Sequence, residues 1–134
     1  MAITTHVCRG NFRSTWFSSG GYDPVAEVLL GGANYDAFFL EYDTKRAGTF
    51  APLAHVRDQI VVLGLVTSKY PELEDEDSVI ARIHEAEGYV PLERLRLSPQ
   101  CGFSSTEEGN ELSEDEQWAK VALVRRIAER VWGA

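Results

Sequence analysis

Basic side chains, cysteines and long apolar runs are all scarce in this sequence, and each scarcity removes a class of function. Thirteen Lys and Arg face 21 Asp and Glu, for a formal net charge of −8. A nucleic-acid groove or an anionic membrane surface needs clustered cations against phosphate, so neither is an expected partner. No window approaches the roughly 18 apolar residues of a membrane span. The segment Met1 to Thr5 has neither the basic start nor the apolar stretch of a secretion signal. A cytoplasmic location is the expectation. The two cysteines, Cys8 and Cys101, are too few for a disulfide framework. In a reducing compartment two distant thiols are more often free or metal-bound than bridged, and a single Cys8–Cys101 disulfide is the alternative.

What is present fits one domain over residues 1–134. Apolar residues make up 44% of the chain, enough for a core at this length, and there is no repeat array. Short apolar runs alternate with helical patterns, which predicts β/α units on a parallel sheet. Strands are read at Thr4 to Cys8, Ala37 to Tyr42, Ile60 to Val66 and Leu95 to Ser98. The third is apolar on both faces, as a covered parallel strand should be. Asp23 as N-cap and Pro24 in the first turn open a helix that Gly31-Gly32 ends. A second starts near Glu76, turns Val79, Ile80 and Ile83 inward and stops at Gly88. The last opens on the capping box Ser113-x-x-Glu116 and offers Trp118, Val121, Val124, Ala128 and Val131 as its buried stripe, with Trp132 also in the core. The acidic runs Glu72 to Asp77 and Glu114 to Glu116 read as solvated helix starts, where carboxylates favour the positive end of the dipole.

Four such units are half of an eight-stranded barrel, which takes about 250 residues. The fold class is therefore α/β, a partial (half) TIM-type β/α barrel with about four parallel strands. Its two open sheet edges would invite pairing. A second chain or a homo-oligomer completes the barrel, or the sequence is a piece of a longer one.

Chemistry concentrates at the strand ends. His6 and Cys8, two apart on a strand, point to the same face. Cys101 lies in Ser98-Pro99-Gln100-Cys101-Gly102, just past the fourth strand, on the rim where barrel enzymes place their reactive groups. Glu41 ends the run Phe38-Phe39-Leu40, a costly place for a carboxylate without a cation or hydrogen bonds. One imidazole, two thiols and one carboxylate form a donor set suited to tetrahedral Zn²⁺. The competing reading is an H-x-C pair that is only core and a buried Glu41 paired with Arg46 or Arg13. Arg9, Asn11 and Arg13 follow the H-x-C pair and are candidates to contact a carboxylate of substrate or donor, or to pair structurally with Glu41 or Asp43.

Several segments carry a resemblance: His6-Val-Cys8-Arg-Gly-Asn-Phe12, Phe39-Leu-Glu41-Tyr42, Leu95-Arg-Leu-Ser-Pro-Gln-Cys101-Gly-Phe103, and Gln117-Trp118-Ala-Lys through Val131-Trp132-Gly133. Together they resemble the C-terminal half of the catalytic barrel in the cobalamin-independent methionine synthase superfamily (5-methyltetrahydropteroyltriglutamate-homocysteine S-methyltransferases), over nearly the whole chain. The resemblance implies that His6, Cys8, Glu41 and Cys101 are zinc ligands. It also implies zinc-dependent methyl transfer to homocysteine or a similar thiol, with a methylated folate as donor. Zinc would stabilise the substrate thiolate, and Glu41 is the ligand expected to loosen as the thiol enters.

One departure concerns catalysis. The larger methionine synthases have a histidine after the strand corresponding to Ile60 to Val66, proposed to give a proton to the departing folate. Here the stretch reads Thr67-Ser68-Lys69, which leaves Lys69 or Ser68 as candidate catalytic residues and a surface Lys69 as the alternative. His55 and His84 are read as exposed. Two other functions compete: an alkyl-thiol transferase using a corrinoid donor or coenzyme M, and a non-catalytic zinc-binding half-barrel subunit or remnant.

Overall fold

A computed structural model describes residues 1–104 and 106–133. Four strands form one sheet in the order β1-β2-β3-β4: β1 (Thr4–Val7), β2 (Ala37–Glu41), β3 (Ile60–Val66) and β4 (Leu95–Pro99). Every neighbouring pair is parallel, so the chain forms a four-stranded section of a TIM-type β/α barrel. Two long helices cover it, α1 (Glu76–Glu87) after β3 and α2 (Glu114–Trp132) after β4. No helix among the described residues is long and apolar enough to cross a membrane.

The register sorts side chains onto two faces. Phe38, Leu40, Val61, Leu63 and Leu95 are fully or almost fully buried and form the core under the helices with Leu30, Ile83, Leu123 and Ile127. The other face carries His6, paired with Phe39, and Glu41, paired with Gly64, which is in turn paired with Ser98. Cys8 follows one step beyond the Val7–Leu40 pair and so falls level with Glu41. The strand period of two thus delivers imidazole, thiol and carboxylate to one face at one end of the sheet.

Gly64 makes room for this end of the sheet. A Cβ there would lie 3.0 Å from the Leu40 carbonyl oxygen and 3.1 Å from the Gln100 Cα, so the loop that carries Cys101 packs directly on the β3 backbone.

Helix α1 follows the sequence reading closely. Asp75 accepts from the Ser78 amide at 2.8 Å as N-cap, Val79 and Ile83 are buried, and Gly88 is the C-cap. The Ser113–Glu116 capping box of α2 is also present. The buried stripe of α2, however, is Lys120, Leu123 and Ile127, whereas Trp118 is 63% exposed and Val121 is exposed. A lysine at the centre of the stripe disguises its period. Lys120 is completely buried because its ammonium bonds the Glu72 carbonyl and pairs with Glu74 at 3.0 Å. Trp132 is half-buried, with its indole N–H on the Leu92 carbonyl at 3.1 Å. The acidic run before α1 is correspondingly structural: Glu74 holds Lys120, and Glu76 and Asp77 pair with Arg126 and Arg130 of α2.

The segment after Asp23 also departs from expectation. It is a 3-10 turn (Asp23–Val25) with Tyr22, not Asp23, at its cap, followed by a π-helical stretch (Glu27–Gly32). The buried residues are Tyr22, Ala26 and Leu30. Their spacing of four exceeds the 3.6-residue α-helical turn, and widening the helix keeps all three facing the core.

Candidate metal centre

The four candidate ligands converge at the C-terminal ends of β1, β2 and β4. His6 Nε2 lies 3.0 Å from Glu41 Oε1, and the Cys101 thiol donates to the same oxygen at 2.7 Å. The ligating atoms of His6, Glu41 and Cys101 all lie within 4.8 Å of one another. Cys8 Sγ is 3.6 Å from Cys101 Sγ, and both cysteines are free. A tetrahedron with metal–sulfur bonds of about 2.3 Å sets its two sulfurs about 3.8 Å apart. The thiol pair is therefore spaced as two ligands of one ion, and the set of imidazole, carboxylate and two thiols matches zinc in softness.

Electrostatics points the same way. Glu41 is 1% exposed. Burial favours its protonated form, but donation from Cys101, Gln100 and the Arg9 amide, with His6 alongside, outweighs burial and holds the carboxyl below the usual carboxylate range. Burial above all, then the hydrogen bond to Glu41 and its charge, pushes the Cys101 thiol far above the ordinary thiol range. A cation bound between this carboxylate and this thiol would favour the ionised form of both groups.

Neighbouring groups fix the ligands. The Arg9 amide donates to Glu41 Oε2 at 2.9 Å. The Tyr22 hydroxyl accepts from the Glu41 amide at 2.8 Å and donates to the Glu41 carbonyl at 3.2 Å. Burial pushes that hydroxyl up to about 12, so it stays protonated in this double role. Gly10 has φ +90°, and a Cβ there would lie 2.3 Å from Phe17 Cβ, so only glycine lets the chain turn back immediately after Cys8 and Arg9.

Glu41 does not pair with Arg46 or Arg13. Arg46 reaches Asp43 at 3.8 Å, Arg13 is exposed, and the buried Arg9 guanidinium serves the Gly20 and Arg46 carbonyls while lying 5.4 Å from the Tyr22 ring centroid. Asn11 is buried. Lys69 is not a surface residue: it is 2% exposed, and its ammonium lies 3.4 Å from Asp43 Oδ2. It still lines a 330 Å³ cleft with Trp16, Arg46 and Tyr70. Ser68 is fully buried and donates to Gln100 Oε1 at 3.2 Å. His55 and His84 are exposed. A 380 Å³ cavity lined by Thr4, His6, Phe39, Ser98 and Cys101 opens directly beside the ligands.

Two contributors were not found from sequence. Tyr22 carries no local signal, since its role comes from a contact across 19 residues. Gln100 sits inside the recognised Pro-Gln-Cys-Gly segment, yet nothing in that spelling says where its amide points.

No family model matches the chain. Two Bacillus subtilis proteins, the uncharacterized YxjH and YxjG, are 59% and 57% identical to it over 134 residues. Each alignment covers 98% of this chain but only 36% and 35% of those proteins. A solved structure from Listeria monocytogenes, provisionally described as a vitamin-B12 independent methionine synthase, is 47% identical over the full chain with a TM-score of 0.74. Over its whole length the chain is similar to a section of the B12-independent methionine synthase structures. A B12-independent methionine synthase structure from Shewanella sp. W3-18-1, in complex with selenomethionine, shares the fold at 20% identity and a TM-score of 0.74. The chain covers 36% and 38% of these two structures, so this methionine synthase-like chain spans about a third of the length of the proteins it matches.

Proposed function

We propose that this chain carries the zinc centre of a methyltransferase that moves a methyl group onto the sulfur of homocysteine or a similar thiol. The observation that carries the reading is the convergence of His6, Glu41 and Cys101 within 4.8 Å, with Cys8 Sγ 3.6 Å from Cys101. His6, Cys8, Glu41 and Cys101 would hold Zn²⁺. Bound there, zinc supplies Lewis acidity that keeps a substrate thiol ionised and nucleophilic near neutral pH.

The chain's own residues prepare the site for that chemistry. Glu41 would be the ligand to yield to an incoming thiol, because its Oε2 holds the Arg9 amide and a displaced carboxylate would not be stranded without partners. The cavity walled by Thr4, Phe39 and Ser98 receives the carbon chain of the thiol. Lys69 is the proton donor to the departing half of the methyl donor, with Asp43 holding its ammonium at the cleft. Ser68 is the weaker candidate for that step, since its hydroxyl hydrogen is engaged by Gln100. A methylated folate is the proposed donor.

A second reading rests on the sheet. Within the described residues β1 and β4 have one neighbour each, so their outer edges are open. A second chain, a second copy, or further residues of the same polypeptide would close the barrel, and without them the zinc centre is a binding module without turnover. Incubating zinc-loaded protein with homocysteine or coenzyme M as the thiol, and methylated folate or a methylated corrinoid as the donor, tests the readings together. Methionine formed from the folate alone supports the proposal. Bound zinc without product from any donor moves the conclusion to the non-catalytic module.

A further inference from the structure

Gln100 is 4% exposed and sits between two residues with which it forms a directed chain. Asn110 Nδ2 donates to the Ser68 carbonyl at 2.8 Å, which anchors Ser68. The Ser68 hydroxyl donates to Gln100 Oε1 at 3.2 Å. Gln100 also donates to the Glu41 carboxylate, which can only accept, so its amide nitrogen faces the ligands and its oxygen faces Ser68. This leaves Gln100 Nε2 aimed at Cys101 Sγ, 3.0 Å away. The Gln100 backbone is seated on Gly64, where an added Cβ would lie 3.1 Å from the Gln100 Cα, so Gln100 has little freedom to withdraw.

We propose that Gln100, oriented by Ser68, is the positioning residue that directs an amide N–H onto the Cys101 sulfur and so tunes the metal centre. The proposal rests on the zinc reading above. Two thiolates and one carboxylate carry three negative charges against the two positive charges of Zn²⁺, so the loaded centre is electron-rich before any substrate thiolate arrives. An N–H donor on one sulfur draws off part of that charge, holds the sulfur in place and weakens its donation to the metal. Ser68 acts one step further out, through the amide alone.

Co²⁺ added to the metal-free protein is the probe, because its sulfur-to-metal charge-transfer absorption reports the donating power of the thiolates directly. The wild type is compared with Gln100→Leu, Ser68→Ala and Ser68→Thr, with zinc affinity measured by competition on the same samples. Gln100→Leu is expected to move the charge-transfer band to lower energy and to weaken zinc binding about ten- to hundredfold. Ser68→Ala, which touches no ligand, is expected to shift the band in the same direction by less, and Ser68→Thr, which keeps the hydroxyl, to restore the wild-type spectrum. Bands that coincide in all four proteins, with zinc affinities within about twofold, would overturn the proposal while leaving the zinc reading intact. A wild type with no thiolate-to-cobalt band would overturn both. Ser68→Ala removes the hydroxyl alone and leaves every ligand in place, so it decides the matter even if Gln100→Leu fails to fold.

Discussion

Lowering the pH from about 8 to about 6 is expected to weaken zinc binding at least about a hundredfold, and the slope follows from the surroundings of Cys101. A thiol ligates only as thiolate, and burial together with the Glu41 carboxylate keeps Cys101 protonated throughout this range in the metal-free protein. Each unit of pH therefore changes the cost of displacing that proton by about 1.4 kcal/mol, a factor of ten in affinity. Glu41 adds nothing to the slope, because its carboxyl is held low and is already ionised. Protons displaced from other ligands would only steepen it. The assay is competition against a chromophoric chelator across this pH range, on the wild type and Cys101→Ser, with the variant's slope expected to be smaller by one proton. Equal slopes in the two proteins, or an affinity that does not change with pH, would refute the reasoning. In the metal-free protein the same raised thiol has the opposite consequence. Its contribution to folding is complete below the ordinary thiol pKa of about 8.5 and is lost as pH rises above it, so apo stability is expected to fall in alkali and Cys101→Ser to remove that fall.

Other expectations follow from single contacts. Lys120→Ala strips the partner from Glu74 inside the α2 contact and is expected to cost about 2–4 kcal/mol in denaturant unfolding, below the full cost for a sealed pair because Glu74 is partly solvated; a loss under about 0.5 kcal/mol would contradict the assignment. Gly10→Ala combines a positive φ with a Cβ 2.3 Å from Phe17, and is expected to destabilise by about 2 kcal/mol or more and to weaken zinc binding through Cys8. Lys69→Met is expected to leave zinc content unchanged while lowering methyl transfer about 10²–10⁴-fold, and unchanged turnover would remove Lys69 from the proton-donor role.

The parts of this fold legible in the sequence are those where one local pattern dominates. Ile60–Val66 was bounded correctly because an unbroken apolar run has one reading in an alternating β/α chain. Helix α1 was legible because Val79, Ile80, Ile83 and Gly88 combine face and stop without conflict, whereas its Asp75 cap is seen only in the structure. Glu41 stood out because a carboxylate closing an apolar strand must be compensated. The α2 face was misassigned because its central buried residue is a lysine, and only the tertiary pairing with Glu74 reveals why a cation belongs there. The π-helical stretch escaped because Gly31-Gly32 marks where a helix stops but not how wide its turns are. The Tyr22 and Gln100 contacts depend on strand register and on which way an amide faces, and neither is written in local residue order.

The central claim is that His6, Cys8, Glu41 and Cys101 hold one zinc ion. Elemental analysis of freshly purified protein beside Cys101→Ser tests it most directly. About one zinc per chain in the wild type, with a clear loss in the variant, is the expected result. No zinc in protein prepared without chelators, or an equal amount in both proteins, would contradict it.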